Sequence, residues 1–154
     1  MTLPASFPLS MSQIAAELGR TLPLSLLDSW VVALAGKSGA PVSFSDLLGQ
    51  TGTATGNATG TSGGGGIIAP FSSPWFRGQI SQLGATTGGA PGLTVSISFS
   101  SAPNWNGNIL LKNITTNASI VLGKQNSTSW QVNSNPGNIV RAGVTDNFTI
   151  MPSA

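Results

Sequence analysis

Between positions 93 and 100 the chain reads Leu93-Thr94-Val95-Ser96-Ile97-Ser98-Phe99-Ser100, four full cycles of apolar and polar residues in strict alternation. A period of two places every second side chain on one face, so this run predicts a β-strand with one side against a core. Comparable short runs lie at 79–83, 108–112, 119–122, 129–132, 139–141 and 148–151. Turn formers separate them: Gly88-Gly89-Ala90-Pro91-Gly92, Asn104-Trp105-Asn106-Gly107, Thr116-Asn117 and Asn135-Pro136-Gly137-Asn138. About seven strands with no helical period between them predict a mainly β fold, an antiparallel β-sandwich of immunoglobulin-like type or a small barrel, over residues 67–154. Trp130 and Phe99, set within alternating strands, are expected in its core. Trp105, flanked by two asparagines in a turn, is the candidate exposed aromatic, although a turn tryptophan more often folds back as a lid.

The first third of the chain has another grammar. One phrase occurs three times: Pro8-Leu9-Ser10-Met11-Ser12-Gln13, Pro23-Leu24-Ser25-Leu26-Leu27-Asp28 and Pro41-Val42-Ser43-Phe44-Ser45-Asp46. In each copy a serine can cap a helix while the residue three further on reaches back to the cap's own N–H, which pairs Ser10 with Gln13, Ser25 with Asp28 and Ser43 with Asp46. Gly19, Gly36 and Gly49 stand where left-handed C-caps would end these helices. Short capped helices are therefore predicted at 11–18, 26–35 and 44–48. Helices of this length are marginal in water without packing, so residues 1–49 are expected to be an anchor that docks on something else. Ile14, Leu18, Trp30, Val31, Leu34, Phe44 and Leu47 are the candidate partner contacts.

Residues 51–66 contain only Gly, Thr, Ala, Asn and Ser and end in four consecutive glycines. Such composition predicts a flexible linker over 50–66, with a reach of roughly 20 to 24 Å, dividing the chain into a helical anchor (1–49) and a β module (67–154).

The segments Ser12-Gln13-Ile14-Ala15-Ala16-Glu17-Leu18-Gly19, Leu24-Ser25-Leu26-Leu27-Asp28-Ser29-Trp30 and Ser43-Phe44-Ser45-Asp46-Leu47 resemble the N-terminal segment of small virion proteins of tailed bacteriophages, mostly tail-associated products. The likeness covers roughly the first third of the chain and departs at Val32 and Leu48, apolar here where many such proteins carry basic residues. It implies a structural component of the particle, made in the host cytoplasm and located in the virion, with other virion proteins as partners and no catalytic residues.

Composition agrees with a binding role. Only 6% of residues are charged, whereas a free monomer wants about a quarter of its surface charged, so a place within an assembly, including a homo-oligomer, is expected. A net charge of +2 without a Lys or Arg cluster excludes a nucleic-acid interface built on phosphate contacts. No apolar run approaches the about 20 residues that span a bilayer, so no membrane partner is expected. There is no His and no Cys, and the four carboxylates are Glu17, Asp28, Asp46 and Asp146, two of them caps. An enzyme, a metal centre and a cofactor site are accordingly not expected. Gly36-Lys37-Ser38 echoes a phosphate-binding loop, but that pattern requires glycine where Val31 stands. The expected function is thus a tail-associated or fibre-like virion protein, with a capsid decoration protein as the alternative. A third reading, a carbohydrate-binding adhesion module recognising a host surface glycan, draws on exposed tryptophan among Thr, Asn and Ser; the plainer surface of a low-charge sandwich is favoured over it.

Overall fold

The computed structural model describes residues 2–87 and 93–154; Met1 and the expected turn at 88–92 lie outside the described residues. Nine strands occur among them: β1 (Ala54–Thr59), β2 (Thr61–Gly63), β3 (Gly66–Trp75), β4 (Gly78–Thr86), β5 (Val95–Ser101), β6 (Asn108–Asn113), β7 (Ala118–Asn126), β8 (Ser129–Val132) and β9 (Thr145–Ser153). All pair antiparallel, in the order β1-β9-β6-β7-β8-β5-β4-β3-β2. The mainly β expectation holds, as a nearly closed sheet folded into two faces.

One strand, β7, turns one corner between those faces, and the succession of β1 and β2 turns the other. β7 pairs with β6 up to Leu122 and with β8 from Gly123 onward. At the opposite corner β1 pairs with β9 and, past Gly60, β2 pairs with β3. Strands that change sheets at a bend are the usual way to make such corners. Inside, the alternation does what its period requires: Val95, Ile97 and Phe99 of β5, Ile109 and Leu111 of β6, and Phe148 and Ile150 of β9 are all buried. Each such side chain contributes about 1.5 to 3 kcal/mol by leaving water.

The stretch expected to be a linker is the strand that closes the fold. Ala54, Gly56 and Ala58 point inward while Thr55, Asn57 and Thr59 point outward, a period of two written in small residues. The core volume opposite them comes from aromatics: Phe71 lies 3.3 Å from where a Gly56 Cβ would stand, and Phe71 meets Phe148 edge to face at 6.5 Å. On the outer side Thr59 and Thr145 hydroxyls bond at 2.6 Å, and Asn147 donates to Asn57 at 2.9 Å. At the corner a Cβ on Gly60 would sit 2.0 Å from the Arg141 carbonyl oxygen and 2.9 Å from Ile67, so only glycine lets these backbones meet. Residues 67–154 are therefore not a closed unit: without β1 and β2, both β9 and β3 lose a partner.

Three short helices precede the sheet: α1 (Met11–Glu17), α2 (Ser29–Leu34) and α3 (Phe44–Leu47). Gly19, Gly36 and Gly49 end them in the left-handed region, at φ of 65°, 75° and 72°. The middle helix starts later than predicted, because Asp28 and not Ser25 is its N-cap. Ser25 instead closes a local turn, accepting from the Leu27 N–H at 3.0 Å.

These helices pack on the sandwich of their own chain. Glu17, 2% exposed, accepts the backbone N–H groups of Gly52 and Thr53, both at 2.9 Å, while the Thr53 hydroxyl donates to the Glu17 carbonyl. Trp75 Nε1 donates to the Gly52 carbonyl from the other side at 2.8 Å. One continuous core then runs from Leu3 through Ile14, Val31 and Leu47 to Ile150.

The 139–141 run, expected as a strand, is an irregular loop. Its apolar residues Ile139 and Val140 are buried all the same, since Asn113 Nδ2 reaches the Ile139 carbonyl at 2.8 Å and takes over the backbone pairing a strand would have supplied. Asn113 also donates to Asp146 at 2.8 Å, and Arg141 Nε completes the network at 2.9 Å from the same carboxylate oxygen. The Arg141 hydrogen bonds hold the Asp146 carboxyl below the usual carboxylate range, against the opposing effect of burial.

Two outcomes follow from this packing. Gly60→Ala should lower stability by roughly 2 to 4 kcal/mol, read as a shift in urea midpoint. Gly63→Ala, with open space around the added methyl, should change it by no more than about 0.5 kcal/mol. Equal effects at the two positions would contradict the corner. Because the folded pKa of Asp146 is depressed, its contribution is full above the unfolded value of about 4 and is lost as pH falls through the lower folded value. Urea midpoints should thus be level near neutrality and fall below about pH 4, less steeply in Asp146→Asn. Parallel pH profiles for the two proteins would contradict that assignment.

Candidate functional site

The expected cap residues divide into two that form boxes and one that does not. Ser10 accepts from the Gln13 N–H at 3.3 Å, and Gln13 Oε1 accepts from the Ser10 N–H at 2.8 Å. Asp46 accepts from the Ser43 N–H at 2.9 Å and from its hydroxyl at 3.1 Å, and the backbone bond chiefly lowers the Asp46 pKa. Asp28 serves α2 alone, accepting from the Trp30 N–H at 2.9 Å, with Arg20 3.3 Å from its other oxygen.

The expected partner contacts are mostly spent within the chain. Ile14, Leu18, Val31, Leu34 and Leu47 are each no more than 1% exposed and belong to the chain's own core. Only Trp30 and Phe44 keep partial exposure. Trp105 is likewise not exposed: it is 5% accessible, its Nε1 donates to the Asn108 carbonyl at 2.9 Å, and its ring packs against Phe76 at 4.9 Å and Trp30 at 5.3 Å. Burial of a large aromatic body with its polar tip satisfied outweighs leaving it in water.

That burial builds a seam between α2 and the β5–β6 loop. Rings run in unbroken contact from the sandwich interior outward, Trp130 to Phe99 (5.2 Å), Phe99 to Trp75 (5.9 Å), Trp75 to Phe76 (4.5 Å), Phe76 to Trp105 and Trp105 to Trp30. Asn104 Nδ2 clips the loop to the end of α2, donating to the carbonyls of Ala33 (2.9 Å) and Lys37 (3.3 Å). Lys124 holds the loop from below, donating to Asn106 Oδ1 at 2.6 Å, and Trp130 Nε1 donates to the Gly107 carbonyl at 2.9 Å. From the β3–β4 turn Arg77 reaches the Asp46 carbonyl at 2.6 Å, tying α3 to the same end of the molecule. Phe76 and Arg77 adopt positive φ in that turn, a strain that the burial of Phe76 and this bond offset.

Along the seam lies an open groove of about 630 Å³, lined by Trp30, Trp105, Asn104, Asn106, Lys37 and Ser29 among others. It mixes aromatic surface with amides and hydroxyls, and no acidic side chain lines it. Among the described residues, no group of three or more His, Cys, Asp or Glu could hold a metal ion. Asn104, Asn106, Lys37 and Ser29 were not anticipated as site residues, because the linker reading placed α2 and the β5–β6 loop in separate modules. The turn Asn104-Trp105-Asn106-Gly107 was the signal available for one wall of the groove, and Trp30, expected as a partner contact, was the signal for the other.

A scan against protein-family models finds no match for this chain, and neither the curated proteins nor the solved structures yield one.

Proposed function

We propose that this chain is a structural component of a tailed-bacteriophage particle, tail-associated or fibre-like, that binds other particle proteins through its N-terminal segment and presents the sandwich. The observation that carries the reading is where its exposed apolar surface lies. Among the described residues the three most exposed large apolar side chains are Leu27 (71%), Phe7 (59%) and Leu22 (54%), all within the first third of the chain. Phe7 and Leu22 occupy the same place in successive copies of the repeated phrase, immediately before its proline. A repeat that buries its helical faces internally and offers apolar side chains from its loops suits docking by those loops. The docking contacts are then Phe7, Leu22 and Leu27, in place of the helix-face residues. The low charge density supports life within an assembly, as one of several copies. Capsid decoration uses the same docking chemistry and differs in location and copy number.

Quantitative mass spectrometry of purified particles tests the proposal. The chain should be present at the copy number of a tail component, and Phe7→Ser combined with Leu27→Ser should reduce incorporation by at least about tenfold, since each buried side chain is worth about 1.5 to 3 kcal/mol. The urea midpoint of the free variant should match that of the parent. Copy number matching the capsid lattice would move the assignment to decoration. Absence from particles, or full incorporation of the variant, would overturn it.

A further inference from the structure

We propose that the groove between α2 and the β5–β6 loop is a binding site for a neutral oligosaccharide, with Trp30 as its central recognition residue. The inference is independent of the particle assignment and rests on which polar groups of the groove are already used. Three of the four indole N–H groups donate inside the protein: Trp75 to Gly52, Trp105 to Asn108 and Trp130 to Gly107, at 2.8 to 2.9 Å. The Trp30 N–H makes no hydrogen bond to any described residue, yet Trp30 is half-buried and lines the groove. Arg20 stacks on its ring at 4.6 Å and Trp105 meets it nearly perpendicular, so the indole is held in place from two sides.

The neighbouring amides are half-used in complementary ways. Asn104 spends its NH₂ on the carbonyls of Ala33 and Lys37, which leaves Oδ1 as an acceptor. Asn106 spends Oδ1 on Lys124, which leaves its NH₂ as a donor. The Ser29 hydroxyl has no partner among the described residues and adds a group of either kind. Donors and acceptors therefore interleave beside an aromatic and aliphatic wall made by Trp30, Val32 and Ala33.

Charge narrows the ligand. Lys124 is engaged by the loop, and Lys37 Nζ lies 3.8 Å from the Asp46 carboxylate, so neither is a free cation awaiting an anion. No acidic side chain lines the groove, and the main-chain end at Ala154, which also lines it, is already engaged, accepting from Asn108 Nδ2 at 2.9 Å. A neutral molecule with an apolar face and a rim of hydroxyls satisfies every open group: the C–H face of a pyranose lies against the indole while its hydroxyls accept from Trp30 and Asn106 and donate to Asn104. A volume of about 630 Å³ falls in the range of roughly 300 to 1,000 Å³ typical of small-ligand sites, room for more than one ring. The loop is held by Lys124, Trp130 and the Asn104 clip before any ligand arrives, so little ordering entropy is lost on binding.

Indole N–H resonances of the full chain, labelled with nitrogen-15, read the site directly. Cellotriose, maltotriose and tri-N-acetylchitotriose would each be titrated to about 10 mM, with inorganic phosphate as the rival ligand. The Trp30 signal should shift saturably with at least one trisaccharide and not with phosphate, while Trp75 stays still. Trp30→Phe, which keeps a ring and removes the donor, and Asn106→Asp, which keeps the oxygen that accepts from Lys124 and removes the NH₂ donor, should each weaken that binding by about tenfold, followed on the Trp105 signal, with thermal melts showing that both variants stay folded. No shift of Trp30 with any of the three sugars, a shift with phosphate in their place, or undiminished affinity in both variants would overturn the proposal.

Discussion

A single peptide group, that of Gly52, is held from both sides: Glu17 accepts its N–H and Trp75 donates to its carbonyl. The first residue belongs to α1 and the second to β3, so this grip makes the helical segment and the sandwich one body. Taking a carboxylate out of water is costly, and two backbone N–H donors at 2.9 Å offset that cost. The dependence is mutual. Each N–H left unpaired in the interior would cost about 1 to 3 kcal/mol, so α1 supplies what the chain needs where it enters β1. Short helices that would be marginal alone gain their stability here.

From that junction the chain can run straight into β1, and β1 closes the sandwich against β9. The same docking brings α2 beside the β5–β6 loop, where Asn104 fastens the two. The groove is thus a product of the docking and not of either part. Its floor is the outer end of an aromatic chain that begins at Trp130 in the core, which couples the rigidity of the sandwich to the position of Trp30.

The sandwich was legible where inner-face residues are large, as in Val95, Ile97 and Phe99, because hydrophobic periodicity registers volume. β1 has the same period, yet Ala54, Gly56 and Ala58 carry almost no apolar signal; Phe71 and Phe148 supply the volume from across the core. Low complexity therefore read as flexibility. Ile139 and Val140 err the other way, being apolar enough for a strand while a side-chain amide, Asn113, takes up the backbone. The caps at Ser10 and Ser43 were readable because capping is local, and the shift from Ser25 to Asp28 shows that the later of two competing caps fits where Val31 and Leu34 must be buried. Trp105 was ambiguous until α2 was known to stand beside it. The supposed linker hid the groove, because it placed α2 and the β5–β6 loop in separate modules.

Native-state hydrogen exchange on the full chain tests the central claim, that helices and sandwich form one cooperative unit. If the Glu17 grip joins them, the amides of Gly52, Thr53 and the last turn of α1 should exchange with the same opening free energy as those of β6 and β9 in the core. Exchange of α1 and of residues 52 and 53 through a lower-energy opening, with the sandwich still protected, would contradict it and restore a chain of two independent parts.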